Sequence, residues 1–203
     1  GSIERRRARL ALLPEARARL TALRLRAKQR AREDRRTTTG LLSLARFVAM
    51  DLETTGPNML RDRIISIGAV AVVERVVRHD DAFEVVVRQA SESRVDNILI
   101  HQIGGQEQRA GVEPTDALLS FLEFLDGSIA VAFRSEFDST VLGRELQDSL
   151  GIRAGTRFLD LANVLPALFP NTPNDSLDDW ALYFALPPIG RHHAIADAYA
   201  NAQ

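Results

Sequence analysis

A run of apolar residues that ends in two carboxylates constrains the fold of this chain more than any other feature. Residues 47–56 read Phe-Val-Ala-Met-Asp-Leu-Glu-Thr-Thr-Gly, and the uninterrupted apolar start predicts a strand buried on both faces. Side chains alternate along a strand, so Asp51 and Glu53 point to the same side. Two solvated acids would explain the pair, but carboxylates at the end of a core strand also suit a divalent cation with oxygen ligands.

The composition excludes several classes of protein. Of the 203 residues, 45% are hydrophobic and 26% are charged, as in ordinary soluble domains. The chain has no cysteine, so disulfides and thiolate zinc sites are excluded. No apolar run approaches the ~20 residues of a membrane-spanning helix, and the basic start does not fit a signal peptide. We therefore expect a cytoplasmic protein with no membrane partner.

Charge is distributed unevenly along the chain. Residues 1–36 contain 13 Lys and Arg but 4 Asp and Glu, a net charge of +9, whereas the remainder carries 13 and 23, a net charge of −10. We expect a basic helical N-terminal arm and linker over residues 1–40, in which Gly1-Ser2 look like a cloning scar. The main domain is expected over residues 41–203.

The arm has the periodicity of an amphipathic helix, which Pro14 starts or kinks. The apolar positions at helical spacing are Leu10, Leu13, Ala16, Leu20, Leu23 and Ala27. Two interpretations follow. The helix packs on the main domain or forms a short coiled coil, or its arginines follow the phosphate backbone of a nucleic acid.

The main domain has the pattern of an α/β fold. Apolar runs predict strands at 47–53, 63–73, 83–87, 128–133 and 158–159. Helical periodicity predicts helices at 114–125, 137–150, 160–168, 176–184 and 192–203, and it assigns no element to the polar segment 91–112. Three strands in a row, followed by strands that alternate with helices, indicate a mixed sheet flanked by helices.

Further chemically active side chains follow the later elements. Asp138 comes just after the fourth strand, and Asp197 lies in the last helix, preceded by His192 and His193. Taken singly, Asp138 would be an ordinary N-cap, Asp197 a surface acid and the histidines part of a polar loop.

Taken together, these groups resemble the DEDDh (DnaQ-like) family of 3′–5′ exonucleases, which includes the proofreading subunit epsilon of DNA polymerase III and ribonuclease T. The resemblance rests on residues 47–56, the Ile-Ile-Ser-Ile-Gly-Ala-Val of residues 64–70, Phe137-Asp138 and His192-x4-Asp197. Secondary matches are Ile100-His101-Gln102-Ile103, Asp175-Ser176-Leu177 and Leu186-Pro187. The resemblance covers about residues 46–203 and implies a ribonuclease H-like fold with sheet order 3-2-1-4-5.

The resemblance also implies roles for individual residues. The expected metal ligands are Asp51, Glu53, Asp138 and Asp197, which would hold two Mg²⁺ or Mn²⁺ ions. His192 would be the general base, and Thr54, Thr55, Gly56 and His101 would contact the terminal nucleotide. This chain has Phe133-Arg134 where the family commonly has His-Asn, so packing or hydrogen bonding beside the site is expected to differ.

The implied activity is metal-dependent hydrolysis of DNA or RNA from the 3′ end, with release of nucleoside 5′-monophosphates. Two divalent ions can activate a water and stabilise the leaving oxygen, and a histidine can take the proton from that water. Single-stranded or 3′-ended DNA or RNA and a DNA polymerase are the expected partners. The alternative is a non-catalytic module that binds nucleic acid or a polymerase on the same fold.

The two adjacent histidines compete for the role of base. His193 and Asp197 are four residues apart and share a face of a regular helix, whereas the family pattern selects His192. Both considerations are satisfied if His192 lies in the loop ahead of the helix, and we expect that arrangement.

Overall fold

A mixed five-stranded sheet forms the centre of the structure. The computed structural model describes residues 12–34, 45–153, 155–172, 175–187, 190 and 192–203. The strands are β1 (Arg46–Thr54), β2 (Ile64–Val73), β3 (Val76–Val86), β4 (Ile129–Ala132) and β5 (Phe158–Asp160). The helices are α1 (Pro14–Asp34), α2 (Val95–His101), α3 (Gly105–Ala110), α4 (Pro114–Leu125), α5 (Glu136–Leu150), α6 (Leu161–Leu168), α7 (Leu177–Tyr183) and α8 (Ala194–Ala202).

The sheet has the order β3-β2-β1-β4-β5, which confirms the expected topology. β1, β2 and β3 pair antiparallel, while β4 and β5 run parallel to β1. Asp51 lies opposite Gly68 of β2, and the register shifts between Glu53 and Thr54. β1 is therefore the central strand, and its pairing with β2 becomes irregular just after the two carboxylates.

The two faces of the sheet are covered by different helices. Val48, Met50 and Leu52 of β1 join the main hydrophobic core, to which α1, α4 and α5 contribute. Ala49 packs on the opposite face, in a cluster that includes residues of α6 and α8. Because side chains alternate along β1, Asp51 and Glu53 share the face of Ala49 and of α8.

The third strand is longer than the sequence predicts. Val73 and Val76 pair across a two-residue turn in which Glu74 and Arg75 have φ of 52° and 64°. Asn and Gly normally mark such a turn, so the Glu-Arg pair concealed the start of β3. The polar segment 91–112, which has no predicted element, contains the short helices α2 and α3.

The basic helix α1 packs on the main domain through Ala16 and Leu20, which lie in the main hydrophobic core together with Leu12, a residue just before the helix. Arg19 reinforces the contact by donating to both carboxylate oxygens of Glu123 in α4, at 2.9 and 2.7 Å. Leu13 was expected on the apolar face but is 74% exposed, because the helix begins only at Pro14. Leu10 and residues 35–44, which include the expected linker at 37–40, lie outside the described residues.

The packing interpretation of the arm therefore agrees with the structure. α1 packs on α4, on the side of the sheet opposite the carboxylates, and its buried residues belong to the core of the domain expected at residues 41–203. Binding of nucleic acid by its arginines stays a prediction. Among the described residues, no helix is both long enough and apolar enough to cross a bilayer.

Replacing Leu20 by alanine should destabilise the whole protein, because Leu20 is 3% exposed within the shared core. Removal of a buried leucine typically costs about 2–5 kcal/mol. Chemical denaturation would measure this loss, with Leu25→Ala as the matched control on the same helix, since Leu25 is 63% exposed. Equal stability of the two variants would show that α1 does not pack on the domain in solution.

Candidate active site

Three carboxylates, two from β1 and one from α8, form one cluster. Asp51 and Glu53 of β1 and Asp197 of α8 each offer an oxygen, and these oxygens lie within 4.8 Å of one another. Asp197 is buried, with 5% exposure, and the other two are half-buried. The strand and the helix thus bring together three of the four acids expected to bind metal.

Close approach of α8 to the sheet produces this cluster. A Cβ atom on Gly68 of β2 would lie 2.1 Å from the backbone of Ala194 and Ile195, so only glycine fits beneath the first turn of the helix. Asn201, one turn beyond Asp197, donates from Nδ2 to the carbonyl oxygen of Met50 at 3.0 Å. Sequence reasoning missed Asn201, although its spacing of four residues from Asp197 places both on one helix face.

His192 lies outside α8, in the position expected for it. The helix begins at Ala194 with His193 as its N-cap residue. His192 is exposed and has a φ of 61°, and its backbone N–H donates to Oδ2 of Asp197 at 3.1 Å. This bond fixes the backbone of His192 beside the cluster and leaves its imidazole exposed. His193 is half-buried at the start of the helix.

Asp138 lies in the first turn of α5 and is 5% exposed. Among the described residues it does not join the three clustered carboxylates at their 4.8 Å spacing. Burial raises the pKa of Asp138 to about 7, and the negative charge of Asp160 adds to the effect, while backbone hydrogen bonds of Asp138 itself and of Leu52 oppose it. Without a nearby cation, Asp138 therefore holds a proton over much of the acidic range.

This raised pKa predicts a pH-dependent stability. Between the ordinary aspartate pKa of about 3.9 and the folded-state pKa of about 7, the folded protein keeps a proton that the unfolded chain releases. Stability should therefore fall as the pH rises through that window. Asp138→Asn removes the titration, so in EDTA the variant should melt above the wild type at pH 8 and converge with it near pH 4.

Thermal unfolding at a series of pH values measures the difference. Asp148→Asn is the control, because Asp148 is an exposed acid on the same helix. A difference between Asp138→Asn and the wild type that did not change with pH would contradict the assigned pKa.

The hydroxyl groups of the loop after β1 form hydrogen bonds within the protein. Thr54 Oγ1 donates to the carbonyl oxygen of Gly56 at 2.7 Å, and Thr55 Oγ1 donates to Asp62 at 3.0 Å. A Cβ on Gly56 would lie 2.7 Å from Asp62 Oδ2, and Asn97 of α2 donates to the carbonyl oxygen of Thr54 at 2.7 Å. The loop is therefore rigidly held, and its contact with a nucleotide stays a prediction.

His101 does not lie where a substrate could reach it in this structure. It is 1% exposed, and its Nδ1 accepts the N–H of Ile103 at 3.0 Å while Nε2 lies 3.3 Å from Ser93 Oγ. Burial lowers the pKa of His101, which favours the neutral ring. In this structure His101 holds the turn between α2 and α3, and its contact with a nucleotide stays a prediction.

Arg134, at the position where the DEDDh resemblance leads us to expect asparagine, has an unusual backbone conformation. Arg134 has a φ of 55°, in the left-handed region that asparagine tolerates better than most residues. Its guanidinium group donates to the carbonyl oxygen of Asp175 at 2.7 Å and lies 5.8 Å from the ring centroid of Phe133. Arg134 thus keeps the turn and adds a connection to the segment before α7.

Relatives of this chain include replicative DNA polymerase components. A PolC-type DNA polymerase III from Caldanaerobacter subterraneus is 30% identical over 159 residues, which are 77% of this chain and 11% of the polymerase. The DNA polymerase III subunit epsilon of Buchnera aphidicola is 27% identical over 164 residues, which are 76% of this chain and 68% of that protein. The chain thus matches a small part of the PolC-type polymerases and most of an epsilon subunit.

Solved structures share the fold. E. coli exonuclease I in complex with a dT13 oligonucleotide superposes with a TM-score of 0.66 at 19% identity, over 78% of this chain and 39% of that one. The cell-death related nuclease 4 superposes with a TM-score of 0.65 at 16% identity, over 79% of this chain and 62% of that one. These likenesses confirm the architecture that the sequence predicts.

A family model described as exonuclease, that of RNase T, matches residues 48–203. The match begins within β1 and ends with α8, so it contains all four acids and both histidines of the site. α1 lies outside it. The chain therefore belongs to the RNase T family of exonucleases, in agreement with the DEDDh resemblance of its motifs.

Proposed function

We propose that this chain is a divalent-metal-dependent exonuclease that removes nucleoside 5′-monophosphates from the 3′ end of DNA. The convergence of Asp51, Glu53 and Asp197 within 4.8 Å, on a chain of an exonuclease family, carries the proposal. The names of the polymerase relatives and the oligonucleotide in the exonuclease I structure favour DNA over RNA as the substrate. A DNA polymerase in the bacterial cytoplasm is the proposed partner.

The residues of the cluster fit a hard divalent cation. Three carboxylate oxygens this close repel one another unless a positive charge lies among them. An all-oxygen ligand set suits Mg²⁺ or Mn²⁺, and Asp138 is the proposed fourth acid of a two-ion site. Such ions supply Lewis-acid activation of a water and stabilisation of the leaving 3′ oxygen.

The remaining groups orient the substrate and move the proton. The imidazole of His192 is exposed beside the cluster and is the proposed acceptor of the proton from the attacking water. We propose that the loop of Thr54, Thr55 and Gly56 contacts the terminal nucleotide. Hydrogen bonds with Asp62 and Asn97 hold this loop in place.

Incubation with 5′-labelled single-stranded DNA and RNA of one sequence tests the proposal. With Mg²⁺ or Mn²⁺ we expect a ladder of DNA products shortened stepwise from the 3′ end, faster than for RNA, and no products in EDTA. Thin-layer chromatography of the products of a uniformly labelled oligonucleotide should identify nucleoside 5′-monophosphates. Binding of the oligonucleotides without cleavage under either metal would favour the non-catalytic module instead.

A further inference from the structure

The turn that carries Asp138 into the site is a short and strained connection. β4 ends at Ala132 and α5 begins at Glu136, so three residues reverse the chain. Arg134 takes a left-handed conformation there, with a φ of 55°, which is unfavourable for a residue other than glycine. The N-cap residue Ser135 provides no side-chain cap to α5. Contacts from outside the turn must therefore stabilise this conformation.

The carboxylate of Asp160 makes that contact. Asp160 is the last residue of β5 and pairs with Ala132, the last residue of β4, so its side chain lies beside the turn. Oδ1 accepts the N–H of Arg134 at 2.9 Å, and Oδ2 accepts the N–H of Ser135 at 3.1 Å. Oδ1 also accepts the N–H of Ala162 at 2.9 Å, which caps α6.

Two of these three hydrogen bonds are not needed to cap α6. One acceptor for Ala162 satisfies the start of α6, whereas the bonds to Arg134 and Ser135 cross 26 and 25 residues of sequence to the turn. They fix both backbone amides that immediately precede α5, and Asp138 lies in its first turn.

We propose that Asp160 is a positioning residue for the metal site, because its carboxylate holds the β4–α5 turn in the conformation that aims Asp138 at the other three acids. The inference rests on the proposed function in treating Asp138 as a metal ligand. Asp160 itself binds no metal in this scheme. It acts through the backbone of Arg134 and Ser135.

Serine at position 160 separates positioning from capping. Serine is a good N-cap and can still accept the N–H of Ala162, but its single, shorter hydroxyl group cannot also reach the amides of Arg134 and Ser135. Asp160→Ala loses all three bonds. We therefore expect Asp160→Ser to regain part of the melting temperature that Asp160→Ala loses, while both variants bind Mn²⁺ about tenfold more weakly than the wild type.

Calorimetric titration of the full-length variants with Mn²⁺, in the absence of nucleic acid, measures this directly. Ser176→Ala is the control, because it removes the side-chain cap of α7 but neither of the bonds from Asp160 to the amides of Arg134 and Ser135, and it should lower the melting temperature but not the Mn²⁺ affinity. Asp160→Asn keeps the Oδ1 bonds and loses the bond to Ser135, so its loss of affinity should be smaller than that of Asp160→Ser. It also serves as the test if Asp160→Ala does not fold.

Wild-type Mn²⁺ affinity in Asp160→Ser, or an equal loss of affinity in Ser176→Ala, would overturn the positioning role. The readout does not depend on cleavage. A wild-type protein that binds Mn²⁺ but degrades no oligonucleotide would refute the proposed nuclease activity, and the ranking of the variants would still decide the role of Asp160. A wild-type protein that binds no Mn²⁺ would overturn both.

Discussion

Replacing Asp51 by asparagine is expected to lower the rate of DNA cleavage by at least about 10³-fold. Asp51 is one of the three clustered carboxylates, and the substitution removes its charge while keeping its shape. Loss of the several kcal/mol that a metal-bound transition state gains corresponds to about that factor. Single-turnover cleavage of 5′-labelled DNA at saturating Mg²⁺ would measure it.

The same variant should not be less stable than the wild type. In EDTA the clustered carboxylates repel one another, so removal of one charge should leave the melting temperature unchanged or raise it. Asp80→Asn, an exposed acid on β3, is the control for a general charge effect. If Asp51→Asn melted well below the wild type yet still cleaved DNA, Asp51 would be a structural residue.

Replacing His192 by alanine should lower kcat by about 10²–10⁴-fold, the usual contribution of a general base. Mn²⁺ affinity should stay close to that of the wild type, because the bond from this residue to Asp197 comes from its backbone N–H, which alanine retains. His193→Ala, one residue along the chain, is the matched control and should keep most of the activity.

The two histidine variants should be compared at neutral pH and saturating Mg²⁺ on one DNA substrate. The expected order places His192→Ala far below His193→Ala. The reverse order would assign the base to the N-cap residue of α8.

The order of the strands and the identity of the clustered acids were predicted through the family resemblance, and that resemblance rests on short motifs that can be read locally. Residues 47–56 contain both the buried part of β1 and its two acids, and Asp138 and Asp197 follow in the order of the family motifs. The hairpin turn at Glu74-Arg75 was missed, because tertiary pairing imposes a left-handed conformation on residues that do not signal it.

Other features could not be predicted because they depend on contacts between distant segments. The burial of His101 depends on Ser93 and on the short helices of a polar segment. The bond from Asn201 to Met50 and those from Asp160 to the β4–α5 turn join elements that only the folded sheet brings together. Sequence spacing carries no signal for such contacts.

Docking of α8 on Gly68 has a consequence for when, during folding, the site becomes able to bind a metal ion. The site draws on β1 and on the last helix, which the Met50–Asn201 bond joins across 151 residues, so no N-terminal fragment of the chain contains it. A divalent ion shared by Asp51 and Asp197 would act as a reversible cross-link between these segments and oppose the detachment of α8. Hydrogen exchange should therefore slow most in α8 when Mn²⁺ is added, and least in α1 on the opposite face.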